Sequence, residues 1–157
     1  MHLLFVCTGN TCRSPLAEAI ARHAIAERGI VEITVGSAGI SAWDDAPASD
    51  GSLLVAMEHG IDLSEHRARL LTPEIVSASD LILAMGPAHR ERVGELGGSA
   101  RTHLLTTYAT SGRDDAPVSD PYGGDLNVYR DTYSELHTMV HAVLDRVVTR
   151  QEPPARE

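Results

Sequence analysis

Cys7-Thr8-Gly9-Asn10-Thr11-Cys12-Arg13-Ser14-Pro15 stands between the apolar run Leu3-Leu4-Phe5-Val6 and a stretch with helical spacing. Strand, tight loop and helix in that order aim backbone N–H groups and the positive end of a helix at one point, which is the construction of an anion site. Cys7 opens the loop and Arg13 closes it, so the C-x5-R span is read as wrapping a tetrahedral oxyanion such as phosphate, sulfate or arsenate. Gly9 and Asn10 are the residues that tolerate left-handed backbone. Ser14 is read as the helix cap and Pro15 as the first helical position. A cysteine in so positive a field is expected to stand largely as thiolate, the form that attacks phosphorus. Arg13 offers a planar fork to two equatorial oxygens, which lysine could not match. Thr8, Gly9, Asn10, Thr11, Cys12, Arg13 and Ser14 are the candidate phosphate-binding residues.

Outward from this loop the chain alternates strands with helices. Leu16 to Arg28 reads as a helix stopped by Gly29, and Val31 to Val35 as a second strand, at an edge or half covered, with Ser37-Ala38-Gly39 turning out of it. Ile40 to Pro47 reads as an exposed loop, Asp50 to His59 as a helix ended by Gly60, and Thr72-Pro73-Glu74 as the start of a short one. Leu81-Ile82-Leu83-Ala84 has the continuous apolar character of a buried parallel strand. Pro87 to Leu96 follows as a helix, and His103-Leu104-Leu105 supplies a fourth strand. Tyr108 to Asp125, rich in Gly, Asp, Ser and Pro, reads as a long functional loop. A final helix from about Leu126 to Val148 carries the stripe Tyr129, Tyr133, Leu136, Val140, Val143 or Leu144, and Val147. The expected architecture is α/β: a three-layer sandwich with a four-stranded parallel sheet, helices on both faces and the phosphate loop after the first strand. Residues 1–150 are expected to form one domain, with 151–157 a frayed tail.

Composition narrows the function classes. The net charge is −9 and every basic residue is arginine, scattered rather than clustered, which argues against nucleic acid as a partner. No span reaches membrane length and no signal peptide is legible, so a cytoplasmic protein without a membrane partner is expected. The two cysteines lie five residues apart, one of them opening an anion loop, and fit a reducing compartment better than a disulfide scaffold. The eight histidines show no ligand spacing such as H-E-x-x-H, so no metal and no cofactor is expected.

A cleaved phosphate ester needs a proton on its leaving atom. Asp120-Pro121-Tyr122, in the long loop, offers a carboxylic acid that could supply it and then activate water against a phosphocysteine. Asp114 and Asp115 compete for that role. Cys12 is either a resolving thiol, capturing an oxidised Cys7 as a disulfide, or a packing residue beneath the loop. Trp43 reads equally as a cleft wall or as a half-buried packing residue.

These segments together resemble the low-molecular-weight protein phosphatases, commonly called low-molecular-weight protein tyrosine phosphatases, over nearly the whole chain. Cys7-Thr8-Gly9-Asn10 with Cys12-Arg13-Ser14-Pro15 is similar to their phosphate loop and Asp120-Pro121-Tyr122 to their general-acid loop. Ser37-Ala38-Gly39 and Asp62-Leu63-Ser64-Glu65-His66-Arg67 are similar to further family segments. The resemblance implies that Asn10, Ser14, Ser37 and His66 form the hydrogen-bond network holding the loop, with Ser14 easing thiolate departure, and it favours Asp120 as the acid. It also implies that Trp43 and Tyr122 flank the substrate cleft. Thr11, where tyrosine-directed members usually carry an apolar residue, and Gly123-Gly124 resemble the bacterial protein arginine phosphatases, whereas Trp43 resembles the tyrosine-directed form.

The expected reaction is hydrolysis of a phosphorylated protein or peptide, phosphoarginine or phosphotyrosine, with inorganic phosphate as product. Asp44, Asp45, Asp114, Asp115 and Asp125 are read as lining the cleft rim, where they would favour a guanidinium. An arsenate reductase would need cysteines outside the loop, and a phosphocarrier would need no general acid. A monomer satisfies the reading, and other assemblies stay open.

Overall fold

The computed structural model describes residues 1–151. Its centre is β1 (His2–Cys7), in which every residue from Leu3 onward is buried. It pairs in parallel with β2 (Thr34–Gly39) on one side and β3 (Leu81–Ala84) on the other. Beyond β3 lies β4 (Thr102–Leu104), giving the strand order β2-β1-β3-β4. Strands buried on both faces must be apolar throughout, which is why β1 and β3 show unbroken hydrophobic runs.

Alternation along β1 assigns its two faces to two cores. Leu3, Phe5 and Cys7 face a large core with Leu16 and Ile20 of α1 (Arg13–Arg28), Val55 of α2 (Asp50–Glu58), and Leu136, Val140 and Leu144 of a long C-terminal helix. Leu4 and Val6 face a smaller core with Val76 of α3 (Pro73–Ser77) and Val93 of α4 (Pro87–Glu95). The result is the expected three-layer parallel sandwich. The chain leaves β1 for β2 on one side while β3 lies on the other, so the loop after β1 opens at the switch in strand order, where such sheets bind ligands.

Several elements differ from the sequence reading. α1 begins at Arg13 with Cys12 before it, and no side chain caps it, so Ser14 is inside the helix and Pro15 is its third residue. Proline is tolerated there because N–H groups of the first turn have no intrahelical acceptor. Gly29, at φ 67°, ends the helix as read, with Ile30 N–H donating to Ile25 O and Gly29 N–H to Ala26 O.

The second strand lies three residues later than its alternating pattern indicates. Val31 is 85 % exposed, and the Ser37-Ala38-Gly39 segment read as a turn pairs with Phe5, Val6 and Cys7. Small residues are needed there because the catalytic-looking loop comes down onto the strand end: a Cβ on Gly39 would lie 2.5 Å from Thr8 O and 2.8 Å from Asn10 N.

A short helix absent from the sequence reading, α5 (Leu105–Ala109), follows β4, which is Thr102–Leu104 rather than His103–Leu105. Its two threonines disfavour a helix locally, but burial of Leu105 and Tyr108 in the large core overrides that preference. Arg146 stacks 4.1 Å above the Tyr108 ring and donates to its carbonyl. The last helix, α6 (Leu126–Gln151), buries the whole anticipated stripe from Tyr129 to Val147. Gln151, expected in a frayed tail, is helical, and the rest of that tail, 152–157, lies outside the described residues.

Candidate active site

The loop between β1 and α1 is held from beneath by Asn10, which is fully buried and sits at φ 55°. Asparagine is one of the few residues other than glycine that enters this region readily, because its short amide can bond locally. Its Nδ2 donates to Ser14 Oγ and to Ser37 Oγ, both at 2.8 Å, and its Oδ1 accepts from Arg69 N at 3.0 Å. His66 Nε2 lies 2.7 Å from Asn10 O; a carbonyl only accepts, so Nε2 carries the proton. Ser37 Oγ in turn donates a hydrogen bond to Glu18 Oε1 at 2.6 Å. The four residues anticipated as loop supports therefore meet around one backbone segment, and Glu18 and Arg69, which sequence reasoning did not single out, complete them.

These bonds set a direction for the hydroxyl at Cys7. Ser14 Oγ is 2.8 Å from Cys7 Sγ. Because Ser14 Oγ already accepts from Asn10, its own hydrogen is available for the sulfur. Ser14 Oγ thus faces Cys7 Sγ and does not cap α1.

Cys7, Thr8, Gly9, Thr11, Cys12, Arg13, Asp120 and Tyr122 line a cavity of about 200 Å³. The C-x5-R residues and the distant Asp120-Pro121-Tyr122 segment are thus brought to one place. Arg13 is buried; its Nη1 donates to Val118 O at 3.0 Å, and its Nη2 lies 3.6 Å from Asp120 Oδ2. Asp120 is half exposed, and its Oδ1 accepts from Tyr122 N at 3.1 Å, a turn that orients the carboxylate over the cavity.

Asp114 and Asp115 are not among the cavity's lining residues. Asp114 instead accepts from Ala116 N, Asp125 from Val128 N and Asp44 from Leu70 N, so three of the anticipated rim carboxylates organise their own loops. Trp43, 84 % exposed, stands outside the cavity lining, whereas Tyr122, 77 % exposed, belongs to it.

Cys12, which also lines the cavity, has its sulfur in polar company. Its thiol donates to Ser49 Oγ at 3.2 Å and lies 3.5 Å from Tyr129 Oη. Burial, with the thiol's hydrogen bond as a smaller cause, holds the Tyr129 phenol above its ordinary value, so the hydroxyl stays protonated. A second cavity of about 610 Å³ is walled by Glu18, Ser37, His66 and Arg69 among others, and no cysteine lines it. Among the described residues, no group of three or more metal-ligating side chains comes together. No helix of the described residues is long and apolar enough to cross a membrane.

Comparison with known proteins gives one answer. A sequence profile of the low molecular weight phosphotyrosine protein phosphatases matches residues 2–152. A protein-arginine-phosphatase of Bacillus subtilis (strain 168) is 37 % identical over 142 residues, covering 89 % of this chain and 92 % of that protein. The low molecular weight protein-tyrosine-phosphatase PtpB of Staphylococcus haemolyticus is 39 % identical over 137 residues, 87 % of this chain and 92 % of that one. Among solved structures, a C7S mutant of the YwlE arginine phosphatase with a phosphorylated active-site serine superposes with a TM-score of 0.89 at 33 % identity, covering 96 % of this chain and 98 % of that chain. With sequence, sheet order and anion loop in agreement over nearly its full length, the chain belongs to the low molecular weight phosphotyrosine protein phosphatase family and is a cysteine-dependent protein phosphatase.

Proposed function

We propose that Cys7 is the nucleophile, Arg13 the clamp on the phosphoryl oxygens and Asp120 the general acid and base, and that the enzyme accepts phosphoarginine at least as well as phosphotyrosine. The observation that carries the assignment of roles is the convergence of all three on one small cavity. The Cys7 thiolate attacks phosphorus, the bond from phosphorus to the leaving nitrogen or oxygen breaks, and the leaving atom takes the Asp120 proton. The Asp120 carboxylate then removes a proton from water as that water displaces the cysteine sulfur, releasing inorganic phosphate and the thiolate. Atoms balance with substrate and water alone. Arg13 serves the transition state best because its fork matches two equatorial oxygens.

Substrate preference rests on Thr11, which lines the cavity, and on Trp43, which does not. A hydroxyl at the wall serves the N–H groups flanking a guanidinium-linked phosphoryl, where an apolar side chain would leave them desolvated without a partner. The matched relatives include both protein-arginine-phosphatase and protein-tyrosine-phosphatase, so rates on paired phosphoarginine and phosphotyrosine peptides are the deciding measurement. Thr11→Ile should shift the ratio toward phosphotyrosine by about tenfold. If wild type ignores phosphoarginine and Thr11→Ile leaves the ratio unchanged, the chain is a tyrosine phosphatase and Thr11 carries no such meaning. Action on phosphorylated cytoplasmic proteins fits this chemistry, with no metal required.

A further inference from the structure

His89 lies on α4, well away in sequence from the loop, yet its Nε2 is 2.8 Å from Thr8 Oγ1. His89 is 6 % exposed. Arg13 Nη2 approaches the same threonine oxygen at 3.5 Å, so one hydroxyl joins a buried imidazole to the phosphate-clamping guanidinium. Burial, reinforced by the Arg13 charge and only partly opposed by Asp120, brings His89 down to about 4, so the ring is neutral at physiological pH and carries a single proton.

The position of that proton follows from the surroundings. His89 Nδ1 is buried with no hydrogen-bond partner. A buried N–H without an acceptor is rarer in proteins than an acceptor without a donor, so the proton belongs on Nε2, where it has Thr8 to bond. Thr8 Oγ1 then accepts from His89 and from Arg13, which occupies both lone pairs. Its one hydrogen is left to point into the cavity that Thr8 itself lines.

We propose that His89 is a positioning residue: by donating to Thr8 it turns the Thr8 hydroxyl into an extra donor for the bound phosphoryl group and braces the Arg13 guanidinium at Nη2, while Val118 O holds Nη1. The inference rests on the roles given to Cys7 and Arg13 above. Those are tested separately by Cys7→Ser, whose undiminished turnover would overturn the roles and not the hydrogen bonds.

The test compares His89→Leu, His89→Gln, Thr8→Val and the Thr8→Val/His89→Leu double variant, using p-nitrophenyl phosphate turnover and competitive inhibition by inorganic phosphate. His89→Leu and Thr8→Val should each weaken phosphate inhibition by about tenfold, the scale of one hydrogen bond to a charged group. KM should rise more than kcat falls. The double variant should be no worse than either single, because both remove the same contact. His89→Gln, whose amide reaches the Nε2 position, should recover most of the loss. Phosphate inhibition unchanged in His89→Leu, multiplicative losses in the double variant, or no recovery in His89→Gln would each overturn the proposal. Should His89→Leu fail to fold, Thr8→Val against Thr8→Ser decides it: unchanged phosphate inhibition in Thr8→Val overturns it, and a loss confined to Thr8→Val supports it.

Discussion

Replacing Asn10 by alanine removes three hydrogen bonds at once: those to Ser14 and Ser37, and the one from Arg69 N. Each is buried or partly so and contributes about 1 kcal/mol net, giving roughly 3 kcal/mol. The alanine also remains at φ 55°, where its Cβ adds about 1–2 kcal/mol of strain that asparagine partly offsets by local bonding. A total near 4 kcal/mol is a large part of the roughly 5–15 kcal/mol that holds a domain of this size together. Asn10→Gly loses the same bonds without the strain and should be roughly 1 kcal/mol more stable than Asn10→Ala. Urea unfolding at neutral pH measures both differences, and alkylation of Cys7 by iodoacetate reports whether Ser14 still faces the sulfur. Equal stability of the two variants would refute the account of the left-handed backbone. A loss below about 1 kcal/mol in Asn10→Ala would refute the buried network as a support.

Further outcomes follow from the site and its surroundings. Cys7→Ser should abolish turnover, and Arg13→Lys should lose several orders of magnitude despite keeping its charge; steady-state rates check both, and an Arg13→Lys rate within about tenfold of wild type would remove the bidentate role. Asp120→Asn should slow hydrolysis by roughly a hundredfold on substrates with poor leaving groups and less on good ones, whereas Asp114→Asn and Asp115→Asn should leave that dependence intact. Peroxide-inactivated wild type should recover with dithiothreitol while Cys12→Ser does not, and equal recovery would leave Cys12 as packing beside Ser49 and Tyr129. The unfolded chain protonates His89 near 6.5 and the folded chain only near 4, so the neutral ring's contribution is complete above 6.5 and is lost as pH falls between those values. It amounts to roughly 3 kcal/mol, and His89→Gln should flatten the stability curve across that window in urea titrations.

The strongest sequence signals were those in which local pattern and burial agree. Leu81–Ala84 was legible residue for residue because a strand covered on both faces must be apolar throughout, and the α6 stripe because five turns repeat one spacing. The second strand was misplaced because its most strand-like residues lie before it, while the paired residues are small for the sake of the loop that packs on them. α5 was invisible because its threonines oppose a helix that only the large core stabilises. At the site, the Cys7 and Arg13 pair stood out because a strand leads into it and a helix out of it, while Asp120 was separated from Asp114 and Asp115 only by the family resemblance. His89 gave no signal at all, since a single histidine on a helix looks alike whether it faces water or a buried threonine. Glu18 and Arg69 were likewise unmarked, because their role exists only where three distant segments meet.

The partners of the loop bear on the order in which this protein is made. Residues 7–13 leave the ribosome early, but the carbonyl that fixes Arg13 comes from Val118, 105 residues later. His66 and Arg69, which grip Asn10, also arrive well after the motif is complete. A nascent chain therefore carries the whole C-x5-R sequence for most of its synthesis without the contacts that shape the loop. With Cys7 in the role proposed above, turnover is expected only after the segment around Val118 has packed, so products truncated before it should be inactive in a p-nitrophenyl phosphate assay.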